Sequence, residues 1–332
     1  MGGAGQACSN DVLAILLASC DFVSGEYLSK SLGISRTAVW KRISGLKKEG
    51  YLIEASTNKG YRILSREAHF GKAGIQSLIK TDFIGRELKF LHTVDSTNAI
   101  LKSMADEGAP EGAVVIADEQ TLGRGRLGRS WSSLPGLGIW MSVLLRPKLH
   151  PALIQSITPA IAVAVCRALE PYLDARPGIK WPNDILIEGR KVCGILTELS
   201  AEAEMISWVV AGLGINVNHE ISDFPEELKN QATSVRMHLK SGMTINRCKI
   251  ASGIINQFEA VYIDFISNGF GAVLREWKDW SVTIGRKVLL IQNNIETIAT
   301  ALDIGADGRL IVQLDDGCVK EVFSGEISLR NL

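Results

Sequence analysis

Gly123-Arg124-Gly125-Arg126-Leu127-Gly128-Arg129-Ser130-Trp131 packs three glycines and three arginines into nine residues. The glycines fit the GxGxxG pattern of a dinucleotide-binding turn. That turn opens a helix whose N-terminus holds the pyrophosphate. Here the polar run 130–136 follows, and then an apolar strand at 137–145. The order loop-then-strand disfavours a nicotinamide-binding domain. It leaves an anion-binding loop in which glycine backbone N–H groups and arginine forks supply the donors, or else a solvated basic loop.

Outward from this stretch, helices and strands alternate. The pattern predicts strands at 88–93, 113–118, 137–145, 185–187, 191–199 and 208–217, and helices at 98–107, 153–173 and 247–268. After residue 280 only strands are expected, at 287–291, 296–304, 310–314 and 319–324. Turn signals stand at Gly305-Ala306-Asp307-Gly308 and Asp315-Asp316-Gly317. The chain therefore reads as an α+β multidomain protein with a small SH3-like β-barrel at its C-terminal end.

The 332 residues carry 36 Lys+Arg and 36 Asp+Glu, a net charge of zero. Residues 1–66 hold nine basic side chains against five acidic ones, a net +4 that leaves −4 for the rest. A small basic domain joined to a larger acidic one follows. Within it, helices are expected at 12–18 (started by Asn10 or Asp11), 25–32 (capped by Ser24, ended by Gly33) and 36–49 (capped by Ser35, stopped by Gly50). Strands at 51–54 and 61–64 flank the turn Ser56-Thr57-Asn58-Lys59-Gly60. That order is a winged helix-turn-helix. Its third helix presents Ser35, Arg36, Thr37, Trp40, Lys41 and Arg42, and its wing Lys59, to DNA. Residues 67–80 read as a linker with a short helix.

The six cysteines (8, 20, 166, 193, 248, 318) include no CxxC pair, and the five histidines stand apart. This fits a reducing cytoplasm and predicts neither a disulfide framework nor a metal site. The N-terminus lacks the positive region of a signal peptide and reads as a disordered lead-in. The longest apolar runs fall short of the roughly 20 residues a membrane span needs, so no membrane association is expected.

Three further stretches carry chemistry. Lys180-Trp181-Pro182-Asn183-Asp184 is a corner in which Pro182 restrains Trp181 to an extended form, and it presents Lys180, Asn183 and Asp184. Lys191 follows at the start of a strand, where a lone lysine is as often plain surface charge as function. In Asp95-Ser96-Thr97-Asn98, Ser96 and Thr97 can cap the next helix, and their hydroxyls can also bind a small polar ligand. Gln120 ends a strand just before the glycine–arginine loop. In Gly212-Leu213-Gly214-Ile215-Asn216, glycines within a strand imply close approach of a ligand or backbone, and Asn216 can read a base edge.

The strings GRGRxGRxW at 123–131, KWPND at 180–184 and GxGIN at 212–216, in this order behind a winged helix-turn-helix, resemble the biotin–protein ligases. The likeness is to their bifunctional class, which joins ligase and biotin operon repressor, and it covers residues 12–329. It implies a winged helix-turn-helix at 1–66, a linker at 67–80, a mixed α/β ligase domain of class II synthetase or biotin–lipoate ligase type at 81–280, and an SH3-like domain at 281–332. It further implies that biotin and MgATP form biotinyl-5′-AMP, from which biotin passes to a lysine of the biotin carboxyl carrier protein of acetyl-CoA carboxylase or a related carboxylase.

By the same resemblance, Ser96, Thr97, Asn98 and Gln120 hold the biotin ring. Arg124, Gly125 and Arg126 contact biotin, and Lys191 bridges its carboxylate and the α-phosphate. Arg126, Arg129, Trp131, Lys180, Asn183 and Asn216 bind ATP. Lys191, Arg124, Arg126 and Asp184 act in catalysis, Asp184 by orienting or deprotonating the acceptor lysine. No protein-held metal is implied beyond the Mg2+ of the nucleotide. The adenylate serves as corepressor of a homodimer on operator DNA, in the cytoplasm. The alternatives are a ligase whose N-terminal domain no longer regulates, and a ligand-sensing regulator without ligase activity.

Overall fold

The computed structural model describes residues 12–19, 21–48, 51, 53–63, 70–149, 151–202, 205–292, 295–323 and 325–329. Expectations at Asn10, Asp11, Glu49, Gly50, Leu64, residues 65–69 and Ser324 lie outside them. The chain divides into two compact units, residues 1–78 and 79–332.

In the first unit, helices α1 (residues 12–18), α2 (Gly25–Leu32) and α3 (Arg36–Lys48) precede strands β1 (Ile53–Ser56) and β2 (Gly60–Ile63), and α4 (Lys72–Gln76) follows. Local chemistry sets the helix ends. Ser24 Oγ accepts from the Tyr27 N–H at 3.0 Å and Ser35 Oγ from the Ala38 N–H at 3.1 Å, while Gly33 takes the left-handed conformation at φ 62°. Leu13, Leu16, Leu28, Val39, Ile43 and Leu46 close the core with Ile53 and Ile63 of the hairpin.

The hairpin's first strand stands two residues later than expected. Tyr51 N–H donates to Leu46 O at 3.0 Å and so finishes the helix rather than starting the strand. Gly60, at φ 101°, already pairs with Ser56. A Cβ there would lie 2.2 Å from Val23 O, and Val23 and Tyr61 exchange backbone hydrogen bonds beside it.

The second unit is built on a seven-stranded sheet in the order β3-β4-β5-β9-β8-β7-β6. Its strands are β3 (Leu88–Val94), β4 (Val114–Gln120), β5 (Gly138–Leu145), β6 (Gly178–Lys180), β7 (Asp184–Ile187), β8 (Arg190–Glu202) and β9 (Met205–Asn216). Only β3 and β4 pair in parallel, with α5 (Thr97–Asp106) between them in sequence. Every residue of β5 is buried, as befits a central strand covered on both faces. Leu101 and Ala105 of α5 pack on Val115, Leu144 and Val210. Helix α6 (Ile157–Leu169) packs against α7 (Arg247–Asn268) and α8 (Gly271–Trp280).

The long helix expected at 153–173 is shorter. It is preceded by a 3-10 turn at Pro151–Ser156 and followed by another at Glu170–Tyr172, where Pro171 cannot continue an α-helix. The sequence reading also missed β6, α8 and the last strand.

The C-terminal part of this unit is an antiparallel sheet in the order β13-β12-β11-β10-β14. Its strands are β10 (Lys287–Gln292), β11 (Ile295–Ile304), β12 (Leu310–Leu314), β13 (Val319–Val322) and β14 (Glu326–Leu329). Trp181 ties it to the larger sheet: its backbone N–H donates to Thr283 Oγ1 at 3.0 Å and its indole Nε1 to Gly308 O at 3.1 Å. The peptide bond from Trp181 to Pro182 is cis.

A buried carboxylate holds the entry to the second unit. Glu259 of α7 accepts from the backbone N–H groups of Asp82, Phe83 and Ile84. Glu259→Ala strands these donors without an acceptor. It is expected to cost about 3 kcal/mol, read as a lower urea midpoint, whereas Glu259→Gln keeps one acceptor oxygen and loses less.

Candidate active site

A cavity of about 460 Å³ opens at the ends of β4, β8 and β9. Ser96, Thr97, Asn98, Gln120, Arg124, Gly125, Arg126, Arg129, Trp131, Lys180, Asn183, Asp184, Lys191 and Asn216 all line it. The four stretches singled out in the sequence thus meet, although they are spread over about 120 residues of chain.

The glycine–arginine loop returns on itself as a small hairpin. Gln120 bridges Ser133 and Arg124 bridges Ser130. Trp131 N–H donates to Gly123 O at 2.9 Å. The turn at its tip is Arg126–Gly128, with Leu127 at φ 55° and 76% exposed. No α-helix opens there, as the following strand had implied. A Cβ at Gly123 would stand 2.4 Å from Trp131 O, so this position needs glycine. Arg124 and Arg129 are exposed. Arg126 is half-buried, donating to Asn183 Oδ1 at 3.2 Å and to Gly325 O at 3.1 Å. The loop is thereby joined both to the 180–184 corner and to the C-terminal sheet.

Lys191 is fixed by an irregularity. The register of β7 with β8 shifts between Ile185 and Leu186, and the Lys191 backbone pairs with another segment. Its N–H donates to Gln231 O at 2.7 Å and its carbonyl accepts from Thr233 N–H at 2.9 Å. Its ammonium lies 2.6 Å from Asp184 Oδ1 and 5.1 Å from the Trp131 ring centre. Lys191 is therefore a held, half-buried charge rather than loose surface charge.

Several expectations are corrected. Ser96 sits at the N-cap of α5, but its side chain makes no capping hydrogen bond. Gln120 Oε1 instead accepts from Thr97 N–H at 2.9 Å and Thr97 Oγ1 at 3.1 Å. What approaches the bare strands is protein side chain: a Cβ at Gly212 would lie 2.3 Å from Asn98 Oδ1, and one at Gly214 2.7 Å from the Trp131 indole. The Asn216 amide group donates to Thr233 O at 3.0 Å, which fixes its orientation in the cavity wall. On α3, Ser35, Arg36, Thr37, Trp40 and Lys41 are exposed, as is Lys59 in the wing. Arg42 is half-buried with Nη1 covered, because it borders the Val39–Ile43–Leu46 stripe. The Ser35 hydroxyl is engaged in its cap.

The sequence reading missed the segment after β9. His219, Asp223, Phe224, Gln231 and Ala232 also line the cavity. The local signal was Phe224 before Pro225 in a mostly polar run. Among the described residues no group of three His, Cys, Asp or Glu is placed to hold a metal ion, and no helix is long and apolar enough to cross a membrane.

Comparison with known proteins follows the same division. Residues 90–216 match the biotin/lipoate A/B protein ligase family, residues 9–62 an HTH domain, and residues 283–330 the biotin protein ligase C terminal domain. The bifunctional ligase/repressor BirA of Bacillus spizizenii is 40% identical over 94% of this chain and 95% of its own. The Escherichia coli protein of the same name is 30% identical over 96% of each. Among solved structures, the biotin protein ligase from Aquifex aeolicus in complex with biotin and ATP superposes with a TM-score of 0.62. It is 29% identical, over 74% of this chain and 99% of that one.

The His219 ring stacks on Phe224, with centroids 5.0 Å apart and planes at 10°, and stands edge-on to Trp140. Burial lowers its pKa from 6.5 to about 4, against the opposing pull of Asp223 and the Leu137 carbonyl. Below its ordinary pKa the unfolded chain binds a proton that the folded one refuses. Stability is therefore full above about pH 6.5 and falls as the pH drops toward 4. Between about pH 7 and 4.5 the protein should lose roughly 2 kcal/mol more than His219→Phe, by urea unfolding. Burial lowers the pKa of His238 as well, a contribution common to both proteins that cancels. Equal losses would contradict the assignment.

Proposed function

The chain belongs to the biotin protein ligase family, alongside its bifunctional ligase/repressors, and from that premise we propose how its cavity ligates biotin and how its first unit regulates. It is an ATP-dependent biotin–protein ligase with an N-terminal DNA-binding domain, and its substrates are biotin, ATP and a carboxyl carrier protein. The observation that carries the mechanism is the gathering of Lys191, three loop arginines and a row of neutral hydrogen-bonding groups at one cavity.

In the first step an oxygen of the biotin carboxylate attacks the α-phosphorus of ATP, and pyrophosphate leaves. Both reactants are anions, so their approach is repulsive until cations stand between them. Lys191 takes that place, and Arg124, Arg126 and Arg129 neutralise the phosphates and the charge that develops on the leaving group. Trp131, Lys180, Asn183 and Asn216 position the nucleotide. Ser96, Thr97, Asn98 and Gln120 offer the uncharged donors and acceptors that a cyclic urea requires. In the second step the amine of the carrier lysine attacks the acyl carbon, AMP leaves, and Asp184 takes or orients the amine proton. Mg2+ would come with the nucleotide and would supply further neutralisation of the phosphate charge that Arg124, Arg126 and Arg129 face.

On this reading residues 1–66 bind operator DNA through α3 and the wing, residues 81–280 ligate, and residues 281–332 complete the enzyme. The adenylate is both intermediate and corepressor, because it favours a homodimer that sets two α3 helices on paired half-sites. The reducing character of the cysteine pattern supports a cytoplasmic location.

Incubation with biotin, MgATP and a carrier domain should raise the carrier mass by one biotin. An unchanged mass would leave the alternative of a ligand-sensing regulator. Lys191→Ala should slow single-turnover adenylate formation by about 100-fold in a protein that still folds. On the DNA side, Lys41→Ala should weaken operator binding and reduce the salt slope by about one, checked by titration across salt concentrations.

A further inference from the structure

Behind the cavity wall, two side chains that do not line it engage those that do. Ser142, in the middle of β5, is fully buried, and its Oγ stands 2.6 Å from Asn98 Oδ1 and 2.8 Å from Thr97 Oγ1. Glu198, on β8, accepts from Asn98 Nδ2 at 2.8 Å through one oxygen and from Lys102 Nζ at 2.8 Å through the other.

The directions of these hydrogen bonds follow from which atoms can donate. Asn98 Nδ2 faces two groups that only accept, the Glu198 carboxylate and, at 3.4 Å, the Leu196 carbonyl. Its amide is therefore held with Oδ1 toward Ser142. The Ser142 hydroxyl has one proton, and the shorter of its two contacts is to that oxygen, which can only accept. The Thr97 hydroxyl proton is then taken within the protein, by Ser142 Oγ or by Gln120 Oε1. In either case Thr97 Oγ1 turns no proton toward the cavity and presents a lone pair.

We propose that Glu198 and Ser142 are positioning residues that make Thr97 a hydrogen-bond acceptor, and so select a ligand ring that carries an N–H at that point. The proposal rests on the reading of this cavity as the biotin site and adds a specificity device to it. Three further observations agree with it. Gly212 lacks the Cβ that would collide with Asn98 Oδ1, so the amide can lie flat against β9. Burial disfavours the Glu198 anion, but Lys102, Asn98 and Arg124 outweigh that and lower its pKa, so the acceptor-only form persists. The chain also continues outward: Gln120 Nε2 donates to Ser133 Oγ at 2.9 Å, and Ser133 Oγ to Trp131 O at 3.2 Å. The ring site and the glycine–arginine loop are thus parts of one hydrogen-bonded path.

The test compares the full-length protein with Glu198→Gln and Ser142→Ala. It uses biotin and its two cyclic carbamate analogues, in each of which one ring N–H is replaced by oxygen. Glu198→Gln keeps the shape but frees the Asn98 amide to turn over, and Ser142→Ala releases the Thr97 hydroxyl. Each variant is expected to raise the KM for biotin about tenfold, the size of one lost hydrogen bond of this kind. Values of kcat and of KM for ATP should stay within about twofold, a split that general loosening of the fold would not give. The preference for biotin over the less favoured carbamate should narrow by a similar factor. Should Ser142→Ala fail to fold, Glu198→Gln decides, because the Glu198 side chain is 35% exposed and tolerates an isosteric change. Unchanged KM and unchanged preference in a folded variant would overturn the proposal and leave the biotin reading intact. Absence of biotin binding by the unmodified protein, measured by calorimetry, would overturn both.

Discussion

The bare strands at Gly194, Gly212 and Gly214 govern the site. Without side chains there, the central sheet presents backbone to the cavity, and larger groups from elsewhere lie flat on it. Trp131 covers Gly194 and Gly214, and Asn98 occupies the space above Gly212. Each of the three positions is crowded already: an added Cβ would fall within 3.0 Å of one of those side chains. The indole then gives the Lys191 ammonium an aromatic face, and Asp184 gives it a counter-charge. A lysine held in this way is fixed in space, as the place between two anions proposed for it requires.

Charge is distributed to the same end. Arg124, Arg126, Arg129, Lys180 and Lys191 line the cavity, and the carboxylates that line it are Asp184 and Asp223. The excess is cationic in a unit that is acidic as a whole by sequence. Arg126 also reaches the Gly325 carbonyl, and Trp181 the Gly308 carbonyl. The C-terminal sheet is thus bonded directly to the loop and to the corner that hold these charges.

Local signals were legible in the sequence and distant ones were not. Ser24, Gly33 and Ser35 announce the ends of α2 and α3 because their effects act within a few residues. The nine-residue loop and the 180–184 corner are dense enough in special residues to be read alone. By contrast β6 is three residues long and β14 four, too short for a period to register. Helix α8 begins just past Gly269, which reads as a stop. The lining contributed by His219 and Phe224 depends on a loop folding back across β8, where residues 231–233 pair with Lys191. Ser142 and Glu198 gain their meaning from contacts with α5 that lie 44 and 100 residues away in sequence. Nothing local marks such residues, and only the folded sheet brings them to the site.

The role proposed for this one cavity is to bring two anions together and to keep the product. It is tested most directly by following pyrophosphate release from MgATP in a single mixing experiment without carrier protein. A biotin-dependent burst of about one equivalent per chain is expected, after which release stalls because the adenylate stays bound. Release that is absent with biotin present, or that proceeds equally without biotin, would contradict it.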